Sequence, residues 1–530
     1  MEKSFGRLAV IGLAAAMSLG QGSVAHAKEK TLTVLRMIDS DNYDPQRSVA
    51  GAAIEVLYML SDTLVTLDFD MKTIKPGLAK SWTVSDDGLT YTFDLQDGVT
   101  FCDGKKFTAA DVVYTINRII DPATKAPFKW RAGDVKAVRA DGDHRVVYEL
   151  NHPFSELLYQ LTQSFSLIVD QKNVEALGKD FGVKGMNGTG PFCWENWEPR
   201  NQFVMRKHPG YRWGPAFYQN RGPAHVDKLV WKVLPQANTL FATMASGQGD
   251  LTISMPSASV QLVAKAPTLR LEEAPVSLKT VYIGFKTTRP MLEDVEVRRA
   301  LVQAVDQKEI AKSVYFNTAD PLQTYVSPNT VDYQQPDQVL GYDPQAAAAR
   351  LEKAGWTLKD DGFRYRNGEK LSLFALSFPG QAQQLWEAVQ GFWRKIGVDV
   401  RVQVYDPTII WSKLRGSDFD GYYMSFDYFS AGDALGLYFK SNLRPAPNRM
   451  DYSDPVTDRL IDAGKAATTA GERAKLFSEA QKRVYDAAVW LPVVNERLLL
   501  VSNKRVTGTK PHGIYGRVLY KGLDLDIAAR

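Results

Sequence analysis

The sequence has few of the residues that most often build catalytic or metal sites. It has two cysteines and six histidines among 530 residues, and no histidines stand at a spacing typical of metal ligands. It also lacks a nucleophile elbow, a Walker A loop, a zincin pair and a kinase signature. We therefore predict no catalytic residues, no metal site and no cofactor.

A strong charge of one sign is also missing. Lysine and arginine number 64 against 60 aspartates and glutamates, a formal net charge of +4. The basic residues are dispersed and are not interleaved with aromatic residues that could stack on bases. The sequence argues against a nucleic-acid partner.

Long hydrophobic runs are absent except near the N-terminus, at residues 8–19. Lys3 and Arg7 precede this run, and Ala25-His26-Ala27 follows it with the small-x-small pattern of a cleavage site. The run is too short to span a bilayer, and no cysteine stands at the cleavage point to carry a lipid. We predict a signal peptide over residues 1–27, cut after Ala27, and a soluble periplasmic protein.

Both cysteines, Cys102 and Cys193, belong to the predicted exported chain. An oxidising compartment allows a disulfide between them, and we predict this bond. Two buried free thiols are the alternative, because the sequence does not give the distance between the cysteines.

Residues 82–120 have the clearest local pattern in the chain. Asp87-Gly88 predicts a two-residue hairpin turn, and apolar residues alternate with polar ones in the strand after it. Thr108 with Asp111 predicts a capping box at the start of a helix, which Asp121-Pro122 ends. At this chain length we expect two or three domains, and the later alternation of helices and strands indicates an α/β fold.

Two loops imitate ligand-binding motifs. The acidic loop Asp39–Asp44 lacks the central glycine and closing glutamate of a calcium loop. The glycines of Gly188-Thr189-Gly190 are followed by no Lys-Ser/Thr pair and no helix-forming run, unlike a phosphate loop. Both are predicted to be structural.

Several motifs resemble bacterial solute-binding protein family 5. They are residues 78–82, 87–93 and 103–112, followed by 188–192 and 290–310. The resemblance covers nearly the whole exported chain. It implies a two-lobed class II periplasmic binding protein fold (Venus flytrap) of the α/β class, with an extra subdomain inserted in a discontinuous first lobe. The implied ranges are 28–62, 206–285 and 495–530 for lobe one, 63–205 for the subdomain, and 286–494 for lobe two.

The resemblance also implies a function. The protein would be an extracytoplasmic receptor of an ABC importer, binding a peptide or an amino-acid-derived solute between its lobes. It would deliver that solute to a membrane permease, as a monomer and without a cofactor. A metal-chelate or haem receptor of the same family is the alternative, and a secreted enzyme on this scaffold is a third hypothesis.

Candidate ligand-binding residues follow from the same resemblance. Asp427 matches an aspartate that pairs with the ligand's α-ammonium in peptide-binding relatives, and its neighbours Met424, Ser425, Phe426 and Tyr428 would line the cleft. Val49, Ala50 and Gly51 match residues that touch ligand from the facing edge. In the alternative, Asp427 caps a turn or pairs with an arginine of the protein.

One departure from the family's sequence pattern reduces the number of ligand classes that we expect. Dipeptide-binding relatives carry an arginine after the strand that matches Leu371–Leu376, where it holds the ligand's carboxylate. Here residues 377–381 read Ser-Phe-Pro-Gly-Gln, and no arginine occurs before Arg394. A dipeptide is therefore less expected than a longer peptide, an opine-like conjugate or a ligand held by aromatic side chains.

Overall fold

The computed structural model describes residues 29–513 and 519–528. The predicted signal peptide and its cleavage point lie outside these residues. None of the described helices is long and apolar enough to cross a membrane.

A large mixed sheet, here called sheet one, forms the centre of the first lobe. Its middle strand Thr31–Arg36 pairs in parallel with a strand on each side. Buried Leu32 and Val34 of this strand belong to the main hydrophobic core. In spatial order, the strands are Leu269–Glu273, Leu499–Asn503, Leu251–Thr252, Thr31–Arg36, Lys228–Val233, Gln202–Lys207 and Phe192–Glu198.

Sheet two forms the centre of the second lobe and has its own core around Val281 and Trp386. Its strand Lys279–Phe285 pairs antiparallel with the strands on both sides. In spatial order, the strands are Ala319–Pro321, Trp490–Glu496, Lys279–Phe285, Gly421–Asp427, Ser372–Ser377 and Asp399–Val404.

The subdomain is built on an antiparallel sheet with the strand order Ala79–Val84, Thr90–Leu95, Arg145–Leu150 and Val135–Ala140. Smaller ladders join Val65–Leu67 to Ile74–Pro76, Val506–Thr507 to Asp526–Ile527, and Arg364–Arg366 to Thr357–Leu358 and Glu369–Lys370.

Helices cover these sheets. The α-helices are Gly51–Leu60, Ala109–Ile120, Leu157–Gln160, Gln171–Leu177, Ala237–Ala245, Ser257–Val263, Val295–Gln303, Gln307–Ser313, Pro344–Lys353, Gln381–Lys395, Pro407–Lys413, Ala431–Tyr438, Pro455–Ala466 and Ala470–Asp486. Short 3₁₀ turns occur at Pro122–Thr124, Lys129–Ala132, Ser164–Ser166, Gly178–Asp180 and Ser441–Leu443.

The local predictions for residues 82–120 are confirmed except for the length of the turn. The capping box forms between Thr108 and Asp111, and the helix ends before Asp121. The prediction of a two-residue turn is wrong, because Val84 pairs with Tyr91 and the Ser85 N–H donates to the Thr90 carbonyl at 2.9 Å. The Asp87 carboxylate accepts the Leu89 N–H at 3.0 Å, which stabilises the wider loop.

The division of the chain by residue range stays a prediction, although sheet membership bears on it. Strand Lys279–Phe285 lies in sheet two, whereas the predicted ranges assign it to lobe one. Strands Phe192–Glu198 and Gln202–Lys207 lie in sheet one, whereas the predicted ranges assign them to the subdomain up to residue 205. Backbone pairing, which the amino-acid pattern does not specify, sets these memberships.

Cys102 and Cys193 are joined by a disulfide, with their Cα atoms 5.8 Å apart. The bond ties the loop that follows subdomain strand Thr90–Leu95 to the first residues of strand Phe192–Glu198 in sheet one. We expect thiol titration of the denatured, unreduced protein to find no free thiol on the exported chain. Two titratable thiols per chain would contradict the bond.

The lobes touch at the two sides of the cleft between them. At one side, the Ser257 hydroxyl is 3.0 Å from the Thr318 hydroxyl. At the other, the Ser155 hydroxyl of the subdomain segment donates to the Gly464 carbonyl at 2.9 Å. These contacts join the walls of the cleft in the conformation described here.

Candidate functional site

The wall of the cleft on lobe one is set by helix Gly51–Leu60, whose C-terminal end is tightly anchored. A Cβ at Gly188 would lie 2.0 Å from the Leu60 carbonyl oxygen, and one at Gly190 would lie 2.3 Å from the Met59 carbonyl oxygen. Only glycine allows this close approach of two backbones. The glycine-rich motif therefore has the structural role predicted for it.

A buried polar cluster around Asp62 completes the anchor. Its carboxylate accepts hydrogen bonds from the Thr189 hydroxyl at 3.0 Å and the Trp213 indole N–H at 3.1 Å. The Lys521 ammonium lies 2.5 Å from the same carboxylate. With its C-terminal end fixed in this way, the helix holds its N-terminal residue Gly51 at the cleft.

The wall on lobe two is the end of strand Gly421–Asp427. Lys279, the first residue of the neighbouring antiparallel strand, lies directly opposite Asp427. Directly opposed residues project to the same face of a sheet, with Cβ atoms about 5 Å apart. Asp427 and Lys279 therefore present a carboxylate and an ammonium side by side.

Two adjoining cavities occupy the cleft, with volumes of about 290 and 360 Å³, and Lys279 and Asp427 line both. The other residues lining the first are Val49, Gly51, Ile54, Phe128, Arg131, Gln163, Ser164, Phe165, Ser425 and Phe426. Those lining the second are Ile38, Glu55, Ile253, Ser254, Met255, Ser257, Val260, Thr318, Glu496, Arg497, Leu498 and Leu499. Both lobes thus contribute to one binding space that is partly apolar and partly charged.

A salt bridge positions the Lys279 ammonium, which lies 2.6 Å from the Glu496 carboxylate. Burial alone would lower the pKa of Lys279, but the Glu496 carboxylate outweighs burial and raises it, with a smaller contribution from Asp427. The ammonium therefore stays charged throughout the neutral range.

Arg131 brings a second cation to the first cavity. Its guanidinium lies 3.3 Å from the Asp433 carboxylate of lobe two, and both side chains are fully buried. The guanidinium also lies over the rings of Phe128 and Trp130, at 4.9 and 5.0 Å. This ion pair crosses from the subdomain segment to lobe two and closes one end of the cleft.

Glu156 crosses the cleft beside this pair and contacts the start of helix Ala431–Tyr438. Its carboxylate accepts a hydrogen bond from the Ser430 hydroxyl, and Ser430 in turn caps the helix by accepting the Asp433 N–H at 2.9 Å. Burial, with a smaller contribution from the charge of Asp433, raises the pKa of Glu156 to about 7. Lys465, Ser430 and Arg473 act in the opposite direction and lower it.

The comparisons with known proteins decide the family. The model described as bacterial extracellular solute-binding proteins, family 5 Middle, matches residues 73–442. The chain belongs to bacterial extracellular solute-binding protein family 5. The resemblance drawn from the motifs is thereby confirmed, and the protein is a receptor of an ABC importer rather than an enzyme.

Curated relatives of this family 5 receptor match along its length. The glutathione-binding protein GsiB of Salmonella typhimurium is 28% identical over 514 residues, covering 94% of this chain and 95% of that protein. GsiB of Escherichia coli O1:K1 is 27% identical over 518 residues, covering 96% of this chain and 97% of that protein.

Solved structures support the fold of the family 5 receptor. The oligopeptide-binding protein AppA from Bacillus subtilis, in complex with a nonapeptide, aligns with a TM-score of 0.79 at 22% identity, covering 94% of this chain and all of that one. NikA from Brucella suis, in complex with Fe(III)-EDTA, aligns with a TM-score of 0.84 at 22% identity over the same shares. The predicted two-lobed fold is confirmed.

The structure brings together most of the residues that the sequence nominated for the family 5 site. Val49, Gly51, Ser425, Phe426 and Asp427 line the first cavity. The other nominated residues pack beside it instead. Ala50 packs against the main core, and Met424 and Tyr428 are buried in the aromatic core of lobe two.

The sequence did not indicate the charged residues that lie with Asp427 in the cleft of the family 5 receptor. Lys279 stands at the start of strand Lys279–Phe285 and reaches the cleft through the pairing of that strand with Gly421–Asp427. Arg131 and Glu496 are distant from Asp427 along the chain and reach the cleft only through the fold. The one usable signal was a lysine at the start of a strand, which by itself indicates no site.

Proposed function

We propose that this receptor captures a peptide or an amino-acid-derived solute with a free ammonium group, which Asp427 holds. The observation that carries the proposal is that Asp427 lines a space bounded by both lobes. A ligand that contacts both lobes favours the closed conformation, because it binds that conformation more tightly. A membrane permease would then receive the solute from the closed receptor.

The ligands of similar proteins support this class of solute. Glutathione is itself a peptide built from amino acids, and the GsiB proteins that bind it match over nearly the whole chain. AppA was solved with a nonapeptide. With volumes of about 290 and 360 Å³, the two cavities of the cleft suit a small solute better than a long peptide.

Native mass spectrometry of protein purified without denaturation tests the proposal. We expect a co-purified solute of low mass that contains at least one amino group, and fragmentation will identify it. A retained solute that lacks an amino group would contradict the proposal.

Closure is the second expected property. We expect small-angle scattering to give a smaller radius of gyration when the co-purified solute is added back to stripped protein, since the lobes approach each other around it. An unchanged radius at saturation would argue against a hinged receptor.

The alternative, a metal-chelate or haem receptor, has less support from the cleft. The described residues that line the two cavities offer carboxylates, amines and hydroxyls, but no imidazole or thiol. Transition metals and haem iron most often take those missing groups. Metal analysis of the purified protein separates the two functions.

We also propose that the protein is exported, cut after Ala27, and monomeric. The family is extracytoplasmic, and residues 1–27 have the pattern of a signal peptide. N-terminal sequencing of the exported protein should begin at Lys28.

A further inference from the structure

The charges beside Asp427 indicate more than an ammonium on the ligand. Lys279 and Asp427 face each other on neighbouring strands, and both line the two cavities of the cleft. A carboxylate and an ammonium thus stand next to each other at the point where the cavities meet.

Lys279 has the capacity to bind a ligand while keeping its salt bridge to Glu496. An ammonium has three N–H donors, and the Glu496 carboxylate at 2.6 Å takes one of them. The Lys279 side chain is 37% exposed and the Glu496 side chain 18%, and both residues line the second cavity. The salt bridge also fixes the position of the ammonium, which reduces the entropy lost on binding.

We propose that the solute carries an α-amino acid head group, with an ammonium and a carboxylate on the same carbon, and that Lys279 selects it. The ammonium binds Asp427 and the carboxylate binds Lys279. This inference rests on the proposed function and specifies the class of ligand.

The head group distinguishes two kinds of peptide. At the N-terminus of an ordinary peptide, the carbon that bears the ammonium is attached to an amide carbonyl, which is uncharged. In γ-glutamyl and β-aspartyl peptides, and in free amino acids and opines, the same carbon bears a carboxylate. The Lys279 ammonium would form a charge-assisted hydrogen bond with that carboxylate, which is stronger than one with an amide carbonyl.

Matched isomers test the proposal. γ-Glu-Ala-Gly and α-Glu-Ala-Gly have the same composition and the same charges, and they differ only in which carboxyl group forms the peptide bond. We expect the wild-type protein to bind the γ-linked isomer at least about 30-fold more tightly by calorimetry, since a desolvated charge pair is lost with the α-linked isomer. Competition in native mass spectrometry extends the comparison to two pools of compounds. The first pool contains γ-glutamyl and β-aspartyl peptides, free amino acids and opines, and the second contains α-linked peptides.

Substitutions of Lys279 test whether this residue causes the preference for the γ-linked isomer. Lys279→Met keeps most of the stem and removes the charge, and we expect it to abolish the preference while retaining affinity for the α-linked isomer. That retained affinity also shows that the variant is folded. Lys279→Met combined with Glu496→Gln removes the repulsion that an unpaired Glu496 would exert on the ligand. Lys482→Met is the matched control, since Lys482 pairs with Asp337 on the outer face of lobe two.

The outcomes separate this inference from the proposed function. If wild-type protein binds both isomers equally or prefers α-linked peptides, the head-group inference is overturned and the receptor for amino-bearing solutes stands. A preference that survives in Lys279→Met also overturns the inference. If no member of either pool binds, the proposed ligand class fails, and the inference fails with it.

Discussion

Asp427→Asn is expected to weaken binding of the native solute by about 2–5 kcal/mol, because the change leaves the ligand's ammonium in the closed cleft without its counter-charge. Asparagine has nearly the same shape as aspartate, so the side chain occupies the same space in the cleft. Calorimetry with the solute identified by mass spectrometry measures the change.

The control for this substitution is Asp337→Asn. Asp337 lies on the outer face of lobe two, where it pairs with Lys482 at 2.8 Å, and its loss changes the net charge by the same amount. We expect this control to bind as the parent does. An affinity of Asp427→Asn within a factor of about three of the parent, or about 0.7 kcal/mol, would show that Asp427 does not hold the ligand.

Local structure in this protein was predictable where neighbouring residues determine it. Thr108 and Asp111 cap a helix through contacts three residues apart, and the sequence displays that spacing. The wider loop around Asp87 was not predictable from its Asp-Gly dipeptide, because the Ser85 and Asp87 side chains select it through their own hydrogen bonds.

The site was predictable only in part, because its charges come from distant parts of the chain. Asp427 was found by resemblance, since it ends a recognisable strand. Lys279 precedes Asp427 by 148 positions in the sequence, and only the antiparallel register of their two strands places it opposite Asp427. Glu496 reaches Lys279 from a third strand. No periodicity in the sequence encodes such a register between strands.

Closure of the lobes changes the surroundings of Glu156, one of the polar residues that reach across the cleft. In the conformation described here this side chain is buried against lobe two, and its carboxyl is the partner of the Ser430 hydroxyl. Four charged groups act on it: Lys465, Asp433 and Arg473 of lobe two, and Arg131 through its pair with Asp433. When the lobes separate, water reaches the carboxyl and its pKa returns toward the ordinary value of 4.5.

Ligand affinity is therefore expected to rise as the pH falls. Burial raises the pKa of Glu156 to about 7 in the described conformation, where the lobes touch. A form with touching lobes therefore binds a proton that the open form releases between these two pKa values. The free energy that this proton contributes to closure is fully present below pH 4.5 and is lost as the pH rises through about 7. From about pH 8 to about pH 5.5 we expect the affinity for the native solute to increase roughly 10- to 30-fold.

Glu156→Gln is the variant that isolates this effect. Glutamine resembles the protonated carboxyl in shape and keeps an oxygen that accepts the Ser430 hydroxyl, but it does not titrate. We expect the variant to bind about equally well at both pH values, and at about pH 8 to bind more tightly than the parent. Calorimetry at the two pH values, with the radius of gyration measured in parallel, follows affinity and closure together. If Glu156→Gln keeps the full pH dependence of the parent, the proton that favours closure binds elsewhere, and Glu156 is only a structural contact between the lobes.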